Sequence, residues 1–487
     1  MNGKMIIYML GKIAQLEAVI MLPSLICAMI YKEANAIIAF AVTILLCLGI
    51  GLMLSIIGKP RDKVIFAKEG FVIVALAWII MSALGALPFV ISGEIPNYIN
   101  AFFETVSGFT TTGASILTNV EAMSKGILFW RSFTHWVGGV GVLVLVMAIL
   151  VSDSGRTMHI MRAEMPGPTV GKLLPRVRST AKILYLIYIT LSALQVMFLL
   201  FGGMSLYESL IHMFGTAGTG GFGIKADSIA GYSPYLQWVI TIFMIIFGIN
   251  FNLYYFILAK RFKAVLKSEE LWVYFSIITV SVSVISINIF NNVKEMATVS
   301  DSIRHAAFQT ASIMTTTGYA TTDFNLWPTL SKTILLLLMF VGACAGSTAG
   351  GLKVSRVIMI FKSIKANLKH TLHSRSVETV KFEGKTLDRE TVSGVNGYLC
   401  IYVFCFAVIL LLLSFDIFDF ETNFSAVAAC FNNIGPGFGF VGPAASYADY
   451  SVVSKLTLSA AMLLGRLEIY PMLLLFSPNI WSKKKVK

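Results

Sequence analysis

The chain has 487 residues, of which 56 % are hydrophobic and only 13 % charged, whereas a soluble protein carries about 25 % charge. That balance excludes a soluble globular protein and describes a polytopic membrane protein. The formal charge of +13 does not indicate nucleic acid, because the basic residues gather in the short segments between apolar runs.

Taken in chain order, residues 6–30 form an apolar stretch too long for a signal-peptide core, and we read it as a retained helix. Residues 36–57 form a second helix. Four units follow, each with a spanning helix, a shorter amphipathic segment and a second spanning helix. Unit one uses 71–92, 97–109 and 127–151; unit two 183–203, 206–216 and 235–258; unit three 271–290, 300–314 and 330–350; unit four 397–415, 423–433 and 453–476. The outer segments reach the roughly 20 residues needed to cross the hydrocarbon, whereas the middle ones do not, so they enter and return on one side. The domain boundaries that follow are 1–58 for the two leading helices, then 59–155, 156–262, 263–390 and 391–487 for the units. Base is concentrated in 59–68, 156–182, 260–267, 353–389 and 483–487, while the loops at 93–100 and 416–422 are acidic. By the positive-inside rule both termini lie in the cytoplasm and the middle segments open to the outer face. The six cysteines sit in apolar runs without metal-ligand spacing and read as small buried hydrophobes.

Each middle segment ends in a Thr/Gly stretch: 107–114 (SGFTTTGA), 214–221 (FGTAGTGG), 312–319 (SIMTTTGY) and 431–438 (FNNIGPGF). Aligned without gaps, they place Gly113, Gly220, Gly318 and Gly437 in one column. Irregular backbone at membrane depth is tolerated only where it lines a cavity or is buried in protein. Four copies imply a fourfold ring of backbone carbonyls, an arrangement that replaces the hydration shell of potassium. Short helices descending from the outer face would aim their negative C-terminal ends at such a ring. In unit three the closing helix runs into GACAGSTAGG, with Gly342, Gly346, Gly350 and Gly351 around Ser347 and Thr348. Close helix packing through small residues explains it; so does a break beneath the ring that acts as a gate. Arg466 lies inside the last helix, where an arginine is costly and pairs with an acid such as Glu468 or faces a cavity. Glu104, Glu208 and Gln309 fall in the short helices as braces or as a source of negative potential. His135 and His212 are packing groups or proton relays.

With Trp130–Gly139 (WRSFTHWVGG), 172–176 (KLLPR), 346–353 (GSTAGGLK) and 465–469 (GRLEI) in view, the whole chain resembles the Trk/Ktr/HKT superfamily of potassium transporters, closest to its bacterial TrkH branch. The resemblance implies an all-α fold of four pseudo-fourfold helix–pore loop–helix repeats around a central pore, preceded by two extra helices. It implies a filter of carbonyls around one glycine per repeat. Carried over by position, these are Thr111, Thr112 and Gly113; Gly218, Thr219 and Gly220; Thr316, Thr317 and Gly318; and Gly435, Pro436 and Gly437. It further implies that Arg466 is a cation just under the filter, that the chain is a homodimer in the bacterial inner membrane, and that a cytoplasmic TrkA-type ring binds the regulatory nucleotide. The chain itself would hold no cofactor beyond potassium in the filter. Uptake needs no catalytic residue, since the membrane potential supplies about 2.3 kcal/mol per charge per 100 mV. A symporter coupling potassium to sodium or protons is the competing expectation; an enzyme, a sensor or a pump subunit would need groups for which we find no motif.

Overall fold

The structure is a computed structural model describing residues 2–60, 67–139, 141, 177–293, 298–373 and 378–478. Residues 142–151 of the first closing helix, the 155/156 unit boundary, the 172–176 motif and the basic tail 483–487 lie outside the described residues.

The chain opens on α1 (Gly3–Ile20) and α2 (Leu22–Ile30), one apolar run divided at Met21. Pro23 in the first turn of α2 lacks the N–H that a continuous helix needs there. α3 (Ala34–Ile57) packs back on α1 at Gly11 and Gly51, where a Cβ on either glycine would meet the other's carbonyl oxygen. Without bulk between them the two backbones approach closely, the usual device of membrane helices. The outer face of α3 leaves Leu45 and Ile56 about 70 % exposed, which fits lipid contact and not water.

Among the described residues, six segments are long and apolar enough to cross a bilayer: Gly3–Ile30, Ala34–Ile57, Lys68–Ile91, Lys182–Phe201, Glu269–Asn292 and Arg389–Leu413. The last four open the four units. They correspond to α4 and α5 (Ala67–Gly85 and Leu87–Ile91), α8 (Val177–Phe201), α13 (Glu269–Asn292) and α17 (Arg389–Leu413). The pore helices follow as α6 (Tyr98–Phe109), α9 (Leu206–Ala217), α14 (Val299–Met314) and α18 (Phe420–Phe431). Each starts on a side-chain cap: Asn97, Ser205 in a capping box with Glu208, Thr298 and Asp419. The caps satisfy orphan N–H groups and fix where each helix begins. At 12 to 16 residues these helices are too short to span.

The closing helices differ from expectation. The sequence predicts continuous spans with one exception in unit three, yet each of the three closing helices that the structure describes to its end is interrupted. α7 (Lys125–Gly139) precedes Gly141, whose φ is 83°, and the rest of that closing helix lies outside the described residues. α10 (Pro234–Phe247) and α11 (Phe251–Leu258) meet at 88°, broken at Gly248–Ile249–Asn250, where Asn250 caps the new helix. α15 (Thr329–Val341) stops at Gly342, and twelve residues of irregular backbone precede α16 (Val354–Leu372), reached after α12 (Phe262–Leu266) and α13 in chain order. α19 (Val452–Arg466) and α20 (Tyr470–Leu475) are separated by Leu467, Glu468 and Ile469, the last two with positive φ. Hydropathy alone does not reveal these breaks, because the residues on either side remain apolar.

The basic stretch 353–389, read as loop, holds α16 and a two-stranded hairpin, β1 (Lys381–Phe382) and β2 (Lys385–Thr386). Lys381 pairs with Thr386 and Phe382 with Lys385. Glu383 and Gly384 turn the corner with φ of 50° and 74°, as a two-residue hairpin turn of this hand requires.

Candidate functional site

Where each pore helix ends, the same three-residue backbone pattern recurs. Thr111, Thr219, Thr316 and Asn433 have φ of 55°, 55°, 56° and 57°, and two residues later Gly113, Gly221, Gly318 and Gly435 have φ of 81°, 76°, 83° and 101°. Between them the N–H groups of Thr112, Gly220, Thr317 and Ile434 donate back to Ser107, Gly215, Ser312 and Ala429, each at 2.8 Å. A β-branched residue in the left-handed region costs about 1–3 kcal/mol and persists only where its surroundings enforce it. Three threonines accept that cost here. Asn433, in the fourth repeat, adopts the conformation more readily.

This geometry corrects the ungapped alignment. In repeat two the glycine column falls on Gly221, one residue beyond Gly220. In repeat four it falls on Gly435, two residues before Gly437, so Pro436 and Gly437 lie past the pattern. Repeats two and four each offer two glycines, and residue identity selected the wrong one; the hydrogen bond from the pore-helix end defines the register.

The four glycines close a ring. A Cβ on Gly113 would strike the carbonyl oxygen of Gly220, one on Gly221 that of Thr317, one on Gly318 that of Ile434, and one on Gly435 that of Thr112. Each repeat thus touches the next, and the fourth returns to the first. On one side of the ring all four glycines line a cavity of about 250 Å³ that also contains Arg131, Lys225 and Pro436. A second cavity, of about 70 Å³, is lined by Gly139 and Gly141 at the described end of α7 and by residues at the breaks of the other three closing helices: Phe251, 346–351, and Gly465 with Arg466.

The loop of unit three lies against the ring. The Gly350 N–H donates to Thr316 Oγ1 at 2.7 Å, and a Cβ on Gly350 would meet the Asn432 carbonyl. Arg466 bonds to the loop through Nη1 to the Thr348 carbonyl (2.7 Å) and to the end of α7 through Nη2 to Gly138 and Gly139 (2.5 and 3.0 Å). Glu468 accepts from Arg356 at 2.6 Å. Arg466 is therefore a cavity-lining cation that clamps carbonyls of units one and three. Ser347 closes a turn on the Cys344 carbonyl, and Gly342, Gly346 and Gly351 take φ of 72°, 69° and 75°.

Comparison with known proteins places this architecture. The family model for TrkH, described as a cation transport protein, matches residues 36–484. The chain belongs to the TrkH family. It is 37 % identical over 469 residues to the Trk system potassium uptake protein TrkH of Salmonella typhimurium, covering 95 % of each chain. It is 35 % identical over 488 residues to the TrkH of Vibrio parahaemolyticus, covering 99 % of this chain and 100 % of the relative. The crystal structure of the potassium transporter TrkH from Vibrio parahaemolyticus superposes with a TM-score of 0.87 at 32 % identity, over 99 % of this chain and all of that one. TrkH-family membership makes the chain a membrane cation transporter and not an enzyme.

In this TrkH-family chain the polar groups behind the ring are structural. Glu104 pairs with Arg131 at 2.6 Å and also accepts from Ser115 Oγ and the Ile116 N–H at 2.9 Å. Arg131 reaches on to the Gly223 carbonyl (3.2 Å) and lies 3.4 Å over the Phe222 ring. The pair joins the ring segment of repeat one to the segment following that of repeat two. Sequence reading named Glu104 and passed over Arg131, although an arginine inside an apolar helix is the signal that singled out Arg466. His212 and Gln309 occupy the position of Glu104, three residues before the helix-end acceptor, in repeats two and three. His212 hydrogen-bonds Tyr232 at 3.1 Å, and Gln309 is fully buried without a hydrogen-bond partner among the described residues. Glu208 sits instead at the start of α9 in its capping box, away from the ring. His135 packs its ring against Phe222 and bonds the Gly108 carbonyl at 2.8 Å. Five of the six cysteines are buried, and the described residues hold no cluster of metal-ligating side chains.

Proposed function

We propose that this TrkH-family chain carries potassium across the bacterial cytoplasmic membrane, with the glycine ring as its selectivity filter. The observation that carries the reading is the closure of four backbone segments, repeat on repeat, between two cavities. Carbonyls of Thr111, Thr112 and Gly113, of Thr219, Gly220 and Gly221, of Thr316, Thr317 and Gly318, and of Asn433, Ile434 and Gly435 would take the place of water around the ion. Four pore-helix C-termini end at the ring and add negative potential in the same sense. Asn433 stands where the other repeats have threonine, and Ile434 where they have Thr112, Gly220 and Thr317, so the ring is fourfold in backbone and unequal in side chains.

The loop at 342–353 acts as the gate in this reading. It lines the second cavity and is held by Thr316 and Arg466. Both termini and the basic loops face the cytoplasm, where a TrkA-type nucleotide-binding ring would engage the chain, itself a homodimer. The test is current through reconstituted protein under opposed potassium and sodium gradients, with and without Gly113→Ser. A reversal potential set by potassium alone, collapsing toward equal permeation in Gly113→Ser, is expected. Equal permeation by the unmutated protein would refute the filter, and uphill potassium movement driven by a sodium or proton gradient alone would establish coupled symport.

A further inference from the structure

The 342–353 loop is fixed on its ring side by Thr316 and Arg466, and on its other side by one acid that the filter does not require. Glu270 stands in the first turn of α13, buried to 4 % exposure. Its Oε1 accepts from the Ala345 N–H at 2.7 Å and the Ser355 N–H at 3.2 Å. These donors lie at opposite ends of the irregular stretch, one after Gly342 and one in the first turn of α16, so a single carboxylate pins both. The Asn250 side chain, from the break in unit two, lies against the loop, where a Cβ on Gly346 would meet its Oδ1. Next to Asn250, the Phe251 N–H donates to the Gly346 carbonyl at 3.0 Å.

Glu270 is in turn held from outside. The Glu383 carboxylate, exposed in the hairpin turn, accepts from the Glu270 N–H at 3.1 Å and from Ser268 Oγ at 2.9 Å. It thereby caps α13 beside the side-chain cap Ser268. The same hairpin is tied to α16, the helix leaving the loop, because Lys362 donates to the Lys381 carbonyl at 2.8 Å while pairing with Glu269 at 2.5 Å. One chain of contacts therefore runs from an exposed hairpin, through the start of α13, to both ends of the loop.

We infer that Glu270 is a positioning residue that latches the 342–353 loop in place, and that the Lys381–Thr386 hairpin, through Glu383, is the element whose displacement loosens the latch. The role of the loop as the gate rests on the functional reading above; the latch itself does not. Charge-assisted bonds to two backbone donors are roughly twice as strong as neutral ones, and the loop has four positive-φ residues (Gly342, Gly346, Gly351 and Lys353) to rearrange about once freed.

The test uses the full chain reconstituted in lipid, comparing the unmutated protein with Glu270→Gln and Glu383→Gln. Two readouts are taken: hydrogen–deuterium exchange of the peptides spanning 342–355, and potassium flux with the potassium-to-sodium ratio. Glu270→Gln should raise exchange in those peptides and basal flux by about tenfold while leaving the ion ratio unchanged, as expected for a shifted loop equilibrium and an intact ring. Glu383→Gln should act in the same direction by about threefold, with the double variant no greater than Glu270→Gln alone. Raised exchange without raised flux would support the latch and overturn the gate. Unchanged exchange in both variants would overturn the latch, whatever the flux does. Should Glu270→Gln fail to give a monodisperse protein, Glu383→Gln on the exposed hairpin carries the same test.

Discussion

Gly435 and Gly437 separate the backbone register from the ungapped one. Gly435 has φ of 101°, and a Cβ there would press on the Thr112 carbonyl oxygen and the Gly113 backbone across the ring. Forcing an L-residue into that conformation costs about 1–2 kcal/mol, and overpacking a rigid contact adds about 1–3 kcal/mol. Gly437→Ala is also crowded, by Ser425 Oγ and Val441 Cγ2 at 2.8 Å, but these neighbours lie within repeat four, the first is a side-chain tip and no positive φ is enforced, so the strain stays out of the other ring segments. Its N–H, bonded to the Val441 carbonyl at 2.7 Å, is kept. Gly435→Ala should therefore distort the ring by the equivalent of about 2–5 kcal/mol. The potassium-to-sodium permeability ratio should fall at least about tenfold, while Gly437→Ala stays near the unmutated ratio. Bi-ionic reversal potentials in planar bilayers read both variants directly. Loss of selectivity in Gly437→Ala with an unaltered Gly435→Ala would refute the register.

Arg466→Ala removes three bonds to the carbonyls of Thr348, Gly138 and Gly139, and basal potassium flux should rise. Unchanged flux in a monodisperse variant would remove Arg466 from the conduction path. Thr316→Val takes away the acceptor of the Gly350 N–H, an unmet buried donor worth about 1–3 kcal/mol, and should also raise basal flux, read by thallium influx into proteoliposomes. Arg131→Met leaves Glu104 buried without its cation and should destabilise the protein by about 3–5 kcal/mol. Glu104→Leu combined with Arg131→Leu should recover part of that loss in thermal melts followed by size exclusion, and no recovery would show that the arginine acts by packing alone.

The length of the apolar runs made the pore helices legible in sequence, whereas the cap Asp419 starts the fourth at Phe420, ahead of the expected 423. The interruption after Val341 was equally visible in its four glycines. The break at Gly248–Asn250 was not, since one glycine and one asparagine in an apolar run are compatible with a continuous helix; what breaks it is the docking of Cys344 on the Gly248 carbonyl and of Phe251 on the Gly346 carbonyl, contacts between distant units. The same holds for Glu468 and Ile469, where side-chain type opposes the conformation found. Register in repeats two and four was hidden because glycine serves there both at positive φ and for close approach, and identity does not separate these uses. Arg131 shows the reverse, a signal present in the sequence whose partner only the fold supplies.

The most direct test of the account is to locate the ion. Crystals of the protein soaked in rubidium, with anomalous scattering measured at the rubidium edge, should show a peak inside the ring formed by the backbone of Thr112, Gly220, Thr317 and Ile434 and their following glycines. The peak should vanish in Gly435→Ala. A rubidium peak confined to sites away from the four glycines would contradict the account.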